Sequence, residues 1–180
     1  MTLSSLAPGQ SQEHALVTAV SCMADLDSHI PIKILDNYGI RIEWLDDGAT
    51  IDGSFWGEPE AGIVGTSVYV RRDTPVHSFL HESSHIICMA PASRDALEGN
   101  AGSDDLEESA VCYLQILLAN GLPGIGQARL MADMNAWGYS FRLGSAERWF
   151  AEDADDARRW LLHYGIIDGI DRPTFRLRGS

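Results

Sequence analysis

Cysteine is scarce in this chain: Cys22, Cys88 and Cys112 are the only three in 180 residues, and no pair has the Cys-x-x-Cys spacing. So sparse and odd a set argues against a disulfide framework, excludes a four-cysteine zinc site and predicts reduced thiols. Basic residues are also few, 13 against 26 acidic, for a formal net charge of -13. A surface of that sign repels phosphate backbones and anionic lipid, so neither nucleic acid nor a membrane is an expected partner. No apolar run approaches the roughly 20 residues of a membrane helix, and Met1 to Ser11 lacks the basic start and apolar centre of a secretory signal. The expected setting is cytoplasmic.

Hydrophobic residues make up 45% of the chain, enough for one globular domain over residues 1–180 with its own core, residues 1–10 being frayed. From Ser11 to Asp27, Ala15, Leu16, Ala19, Met23 and Leu26 recur at helical spacing and predict an amphipathic first helix. Short β-prone runs follow at Ile32 to Leu35, Ile40 to Leu45, Ile51 to Trp56 and Ile63 to Arg72. Beyond them the pattern is helical. Pro75 at a first helical position starts a helix that Pro91 stops near Met89. Residues 92–105 read as a surface loop, with Asp104 or Asp105 capping a helix that ends at Gly121. Further helices are expected over Gly126 to Trp137 and Ser145 to Tyr164. The predicted class is α+β, with a small, mainly antiparallel sheet in the N-terminal half packed against a helical C-terminal half.

The chemistry concentrates in His81-Glu82-Ser83-Ser84-His85. Residues four apart on a helix lie one above the other, so both imidazoles can reach one divalent ion. Glu82 sits about 100° round from His81, beside the ion as an acid/base group. Phe79, Leu80, Ile86 and Ile87 group on the other side, which predicts a core face opposite a histidine face. Two histidines leave a catalytic ion short of a third protein ligand. On the following helix Glu107 falls inside the apolar sector of Leu106, Ala110, Tyr113, Leu114 and Leu117, where a carboxylate needs a partner. Glu107 is the expected ligand, with Glu108, at the sector's edge, as the alternative.

The combination His81-Glu82-x-x-His85 with Glu107-x-x-Ala110 resembles the gluzincin metallopeptidases. It is closest to their minimal forms in bacterial phage-immunity and stress-response regulators, over about residues 63–118. The resemblance implies a zincin-like fold, zinc on His81, His85 and Glu107, Glu82 as general base, and a peptide or protein substrate. The strand Ser67 to Arg72 would form the upper edge of the cleft. A shorter run, Ser78-x-Leu80-His81-Glu82-x-Ser84-His85, is similar to elongation factor P hydroxylase, which implies iron and oxygen-dependent hydroxylation.

The ligand set suits either metal, since two His and one Glu also form the facial triad of non-haem iron(II) sites. Tyr139, His163 and His77 are candidates to steady a developing oxyanion. In a third reading the metal is structural or the motif vestigial and the chain is a binding module; Cys88, three residues after His85, would then be a fourth ligand. Arg172, Arg176 and Arg178 form a small basic group at the C-terminus, expected either to dock on the acidic body or to stand solvated.

Overall fold

The motif helix lies in the middle of an α+β molecule, with a small sheet on one side and helices on the other. The computed structural model describes residues 20–54, 57–95 and 104–180. Among them are seven α-helices: α1 (His29–Asp36), α2 (Val76–Cys88), α3 (Pro91–Asp95), α4 (Asp105–Leu118), α5 (Gly126–Trp137), α6 (Ala146–Glu152) and α7 (Asp155–His163). The strands are β1 (Arg41–Trp44), β2 (Gly62–Val64) and β3 (Ser67–Val70), in the order β1-β3-β2.

The sheet is mixed rather than mainly antiparallel. β2 and β3 form an antiparallel hairpin across Gly65-Thr66, with Gly65 at φ 58°; within the β-prone run Ile63 to Arg72, Ser67-Val68-Tyr69-Val70 is β3, and the start of the run belongs to β2. β1 pairs with β3 in parallel, Ile42 opposite Val68. Parallel neighbours require a long connection; this one includes β2, and its described residues between β1 and β2 form no strand. In that connection Ile51 to Ser54 form a turn; Phe55 and Trp56, the rest of the strand expected there, lie outside the described residues. Arg71 fastens the connection, donating to the Ala49 carbonyl at 2.7 Å and pairing with Glu58 at 2.5 Å.

The run Ile32 to Leu35 is helical, not a strand. Pro31 occupies the first turn of α1, where the missing N–H would have no partner in any case, and Pro31 and Leu35 bury one face. Of the expected first helix, residues 11–19 fall outside the described set. Its described end is only a 3-10 turn, Met23–Asp25. The Met23 and Ala24 N–H groups donate to the Thr74 and Arg72 carbonyls at 2.9 and 2.8 Å, which removes them from any helical ladder. The stretch expected as a loop from Ala92 opens with α3, and residues 96–103 lie outside the described residues. The long helix expected from Ser145 to Tyr164 is two, broken where Asp153 turns to pair with Arg142.

α2 is buried nearly all round. Phe79, Leu80, Ile86 and Ile87 have no exposed surface, each contributing about 1.5–3 kcal/mol of burial. The polar side is also covered, by α4 and α5. The core face was legible in the sequence, but the histidine face is enclosed rather than open. Two of the helix's serines are bonded: the Ser78 hydroxyl accepts from the Ala61 N–H at 2.9 Å and Ser83 donates to the Phe79 carbonyl at 2.6 Å.

The C-terminal residues close the far end of α2. Arg94 donates to the Ile86 and Met89 carbonyls at 3.0 and 2.7 Å, and the Arg178 N–H donates to the Ile87 carbonyl at 2.9 Å. These groups occupy carbonyls that a helix end leaves without internal partners. Of the three basic residues near the C-terminus, Arg178 therefore docks.

Candidate metal centre

His81 and His85 project from successive turns of α2 towards α4, their Nε2 atoms 3.1 Å apart. The Glu108 carboxylate completes the group from α4, with Oε1 3.2 Å from His81 Nε2 and Oε2 3.4 Å from His85 Nε2. Among the described residues these are the three side chains placed to share an ion. α4 brings Glu108 there because Asp104 caps it, accepting from the Leu106 and Glu107 N–H groups at 3.1 and 2.8 Å.

Glu107 is not part of the group. Its carboxylate turns to the other side of α4 and accepts from Arg178 Nη1 at 2.8 Å. It does point into buried surroundings, as the helical pattern predicts, but the partner there is an arginine. A step of 100° per residue puts Glu108 on the histidine side. The expected ligand set His81, His85 and Glu107 is thus corrected in its third member: the geometry gathers His81, His85 and Glu108.

The donor set suits a divalent ion of zinc type. The two Nε2 atoms stand 3.1 Å apart and each faces a different oxygen of Glu108, at 3.2 and 3.4 Å, so two imidazoles and one carboxylate converge on a single point as a shared ion requires. The tautomer suits it as well. His81 Nδ1 lies 2.7 Å from Gln115 Oε1, which only accepts, so Nδ1 keeps its proton. Against the effect of burial, Tyr139, Cys112 and Glu108 raise the imidazole well above its ordinary value, so without an ion His81 is charged and an ion would take the place of the Nε2 proton. Orientation of a ligand ring through its second nitrogen is the usual support of a metal-binding histidine. Burial, reinforced by His81, lowers His85 to about 4, which keeps its imidazole neutral and able to ligate.

A cleft of about 410 Å³ opens beside the triad, lined by His81, Glu82 and Glu108 together with Glu60, Trp137, Tyr139 and Phe141. Glu82 is 8% exposed. Burial raises its carboxyl to about 7; His81 pulls it down, and Glu60 and Glu108 push it up. Such a group exchanges protons near neutrality. Of the three oxyanion candidates only Tyr139 lines the cleft. Burial holds its phenol well above the usual range, so it remains a donor. His77 lies behind it, 3.4 Å from Nδ1 to the Tyr139 hydroxyl, and His163 meets Tyr164 edge-on at the end of α7. Cys88 is buried in the core outside the triad, whereas Cys112 lines the cleft one turn after Glu108.

Two residues of this site carry no signal in the sequence reading. Gln115 reads as an ordinary helical residue, although its spacing of seven from Glu108 places both on one face of α4. Glu60 sits among turn-forming residues, and only the hydrogen bond from Trp137 Nε1, at 2.6 Å across 77 positions, reveals it.

No known family, curated protein or solved structure matches this chain. Among the described residues no helix is long and apolar enough to cross a membrane.

Proposed function

We propose that this chain is a zinc-dependent hydrolase of peptide bonds in which His81, His85 and Glu108 hold the ion and Glu82 is the general base. The observation that carries the reading is the meeting of two imidazole Nε2 atoms and one carboxylate at 3.1–3.4 Å beside a cleft that Glu82 lines. Zinc, when bound, supplies Lewis acidity that polarises a carbonyl and makes water a stronger acid.

The chain's own residues supply the rest. Glu82 accepts a proton at its carboxylate from the attacking water and returns it to the leaving amine, a role suited to a carboxyl raised to about 7. The Tyr139 phenol, protonated at every physiological pH, donates to the oxygen that gains charge. Gln115 holds the His81 ring so that Nε2 faces Glu108. Trp137 and Phe141 narrow the cleft and reduce the water within it. A cytoplasmic setting agrees with three free cysteines.

The test is metal content after purification without added metal, together with cleavage of a mixed fluorogenic peptide library. Wild type is expected to carry one equivalent of zinc and to cleave. Glu108→Ala should lose the zinc. Glu82→Gln should keep it while cleavage falls about 10²–10⁴-fold. Iron in place of zinc, or zinc retained by Glu108→Ala, overturns the reading.

A further inference from the structure

The hydrolytic scheme leaves one ionisable group of the cleft without a task. Glu60 precedes β2 and lines the same cavity as His81, Glu82 and Glu108 without belonging to the triad. It is held in place: Trp137 Nε1 donates to Oε1 at 2.6 Å, and the Glu60 N–H donates to the Gly57 carbonyl at 3.1 Å. A charge-assisted hydrogen bond of that length fixes the direction of a carboxylate without neutralising it.

The surroundings match a cation. Trp137, Tyr139 and Phe141 form the wall next to Glu60, and each ring is set by its neighbours. The Trp137 ring lies 5.0 Å from His77, and Phe141 stacks on Trp149 at 4.9 Å. Ring faces attract ammonium and guanidinium groups, most strongly those of tryptophan. Among the described residues no lysine or arginine lines the cleft, while three carboxylates do. A divalent ion at the triad offsets two of those negative charges and leaves one for the substrate.

We infer that Glu60, with the aromatic wall of Trp137, Tyr139 and Phe141, forms a subsite for a cationic group of the substrate, an ammonium or guanidinium next to the bond presented to the triad. The cutting of such a substrate rests on the hydrolase reading; the holding of it does not. The cationic group can come from a lysine or arginine side chain or from a free amino terminus. Both place a positive charge a few bonds from an amide, and both would lie against the Glu60 carboxylate with their methylene or Cα surface on the rings.

Titration calorimetry on the purified protein, with zinc content measured on the same sample, tests the subsite apart from turnover. The probes are short peptides containing lysine, the same peptides with norleucine in its place, and each of these with and without an acetylated amino terminus. The lysine or the free-terminus peptide is expected to bind about tenfold more tightly than its neutral counterpart. Loss of the preference with norleucine assigns the side chain, and loss on acetylation assigns the terminus. In Glu60→Gln the ratio should shrink to within about twofold, and Trp137→Phe, which keeps a ring but removes the donor to Glu60, should also reduce it.

Equal binding of charged and neutral peptides by wild type, or an unchanged ratio in Glu60→Gln that folds as wild type does, overturns the subsite. A protein that carries zinc and cleaves peptides without charge preference refutes the subsite alone. One that prefers cationic peptides but carries no zinc refutes the hydrolase alone.

Discussion

Arg178 Nη1 donates to Glu107 Oε2 at 2.8 Å, and the same guanidinium lies 4.1 Å above the Tyr164 ring and 5.0 Å from that of Trp160. This contact ties the C-terminus to the N-terminal turn of α4, one residue from Glu108. It also separates the roles of two adjacent glutamates, one held in an ion pair and one facing the histidines.

Glu107→Ala should therefore act on stability and not on the ligand set. Both partners are mostly buried, at 16% and 20% side-chain exposure, and removing one leaves the other's charge uncompensated, at a cost of about 2–4 kcal/mol. Urea unfolding should show that loss in Glu107→Ala and a larger one in Arg178→Ala, which also gives up the bond to the Tyr164 hydroxyl and both ring contacts, with zinc content retained in both. Loss of zinc without loss of stability in Glu107→Ala would return the ligand role to Glu107.

Gln115→Leu should weaken metal binding while leaving the fold intact. The amide sets the His81 tautomer through Nδ1, and removing such an orienting partner typically costs 10–100-fold in metal affinity. Competition with a chromophoric chelator measures it. An affinity equal to that of wild type would show that Gln115 only fills space.

His77 makes stability depend on pH. Burial first, and the charge on His81 second, lower its imidazole to about 3, while the unfolded chain has the ordinary value of about 6.5. Between those values the unfolded state binds a proton that the folded state does not, so stability falls as pH drops from about 6.5 towards 3. The slope from this one group is about 1.4 kcal/mol per pH unit. His77→Phe, which keeps a ring against Trp137 and Tyr139, should unfold in urea with a shallower pH dependence over that range. An unchanged slope would mean that His77 is protonated in the fold.

Gly62→Ala should be poorly tolerated. A Cβ there would stand 1.9 Å from the Asp52 carbonyl oxygen and 2.7 Å from the Ser54 nitrogen, both backbone atoms that cannot rotate away. The expected loss is above ~2 kcal/mol, read as a fall in melting temperature. β2 and the wall that carries Glu60 should be displaced with it. Full stability in the variant would show that the 52–54 turn moves freely.

The helices of the second half follow from local signals. Asp104 caps α4 as its residue type and position predict, Gly126–Trp137 is a helix over the expected span, and α2 ends before Pro91. The strands were less legible. Ile32 to Leu35 has β-branched composition, but three apolar residues around Lys33 carry too little period to tell a strand from a helix, and burial of Pro31 and Leu35 at i,i+4 decided for the helix.

The sequence by itself determined that two imidazoles share one helix face with a carboxylate beside them, because a spacing of four is a local property of the backbone. It also determined that a second helix would present acidic residues. Which of those residues meets the histidines depends on the rotation of α4 against α2, a property of tertiary packing that includes the Glu107–Arg178 contact across 71 positions. Arg178 takes Glu107, so Glu108 is left to face His81 and His85. The rest of the cleft lining was decided in the same way, since Glu60 and Trp137 carry no mutual signal until the packing of α5 against α2 brings indole and carboxylate to 2.6 Å.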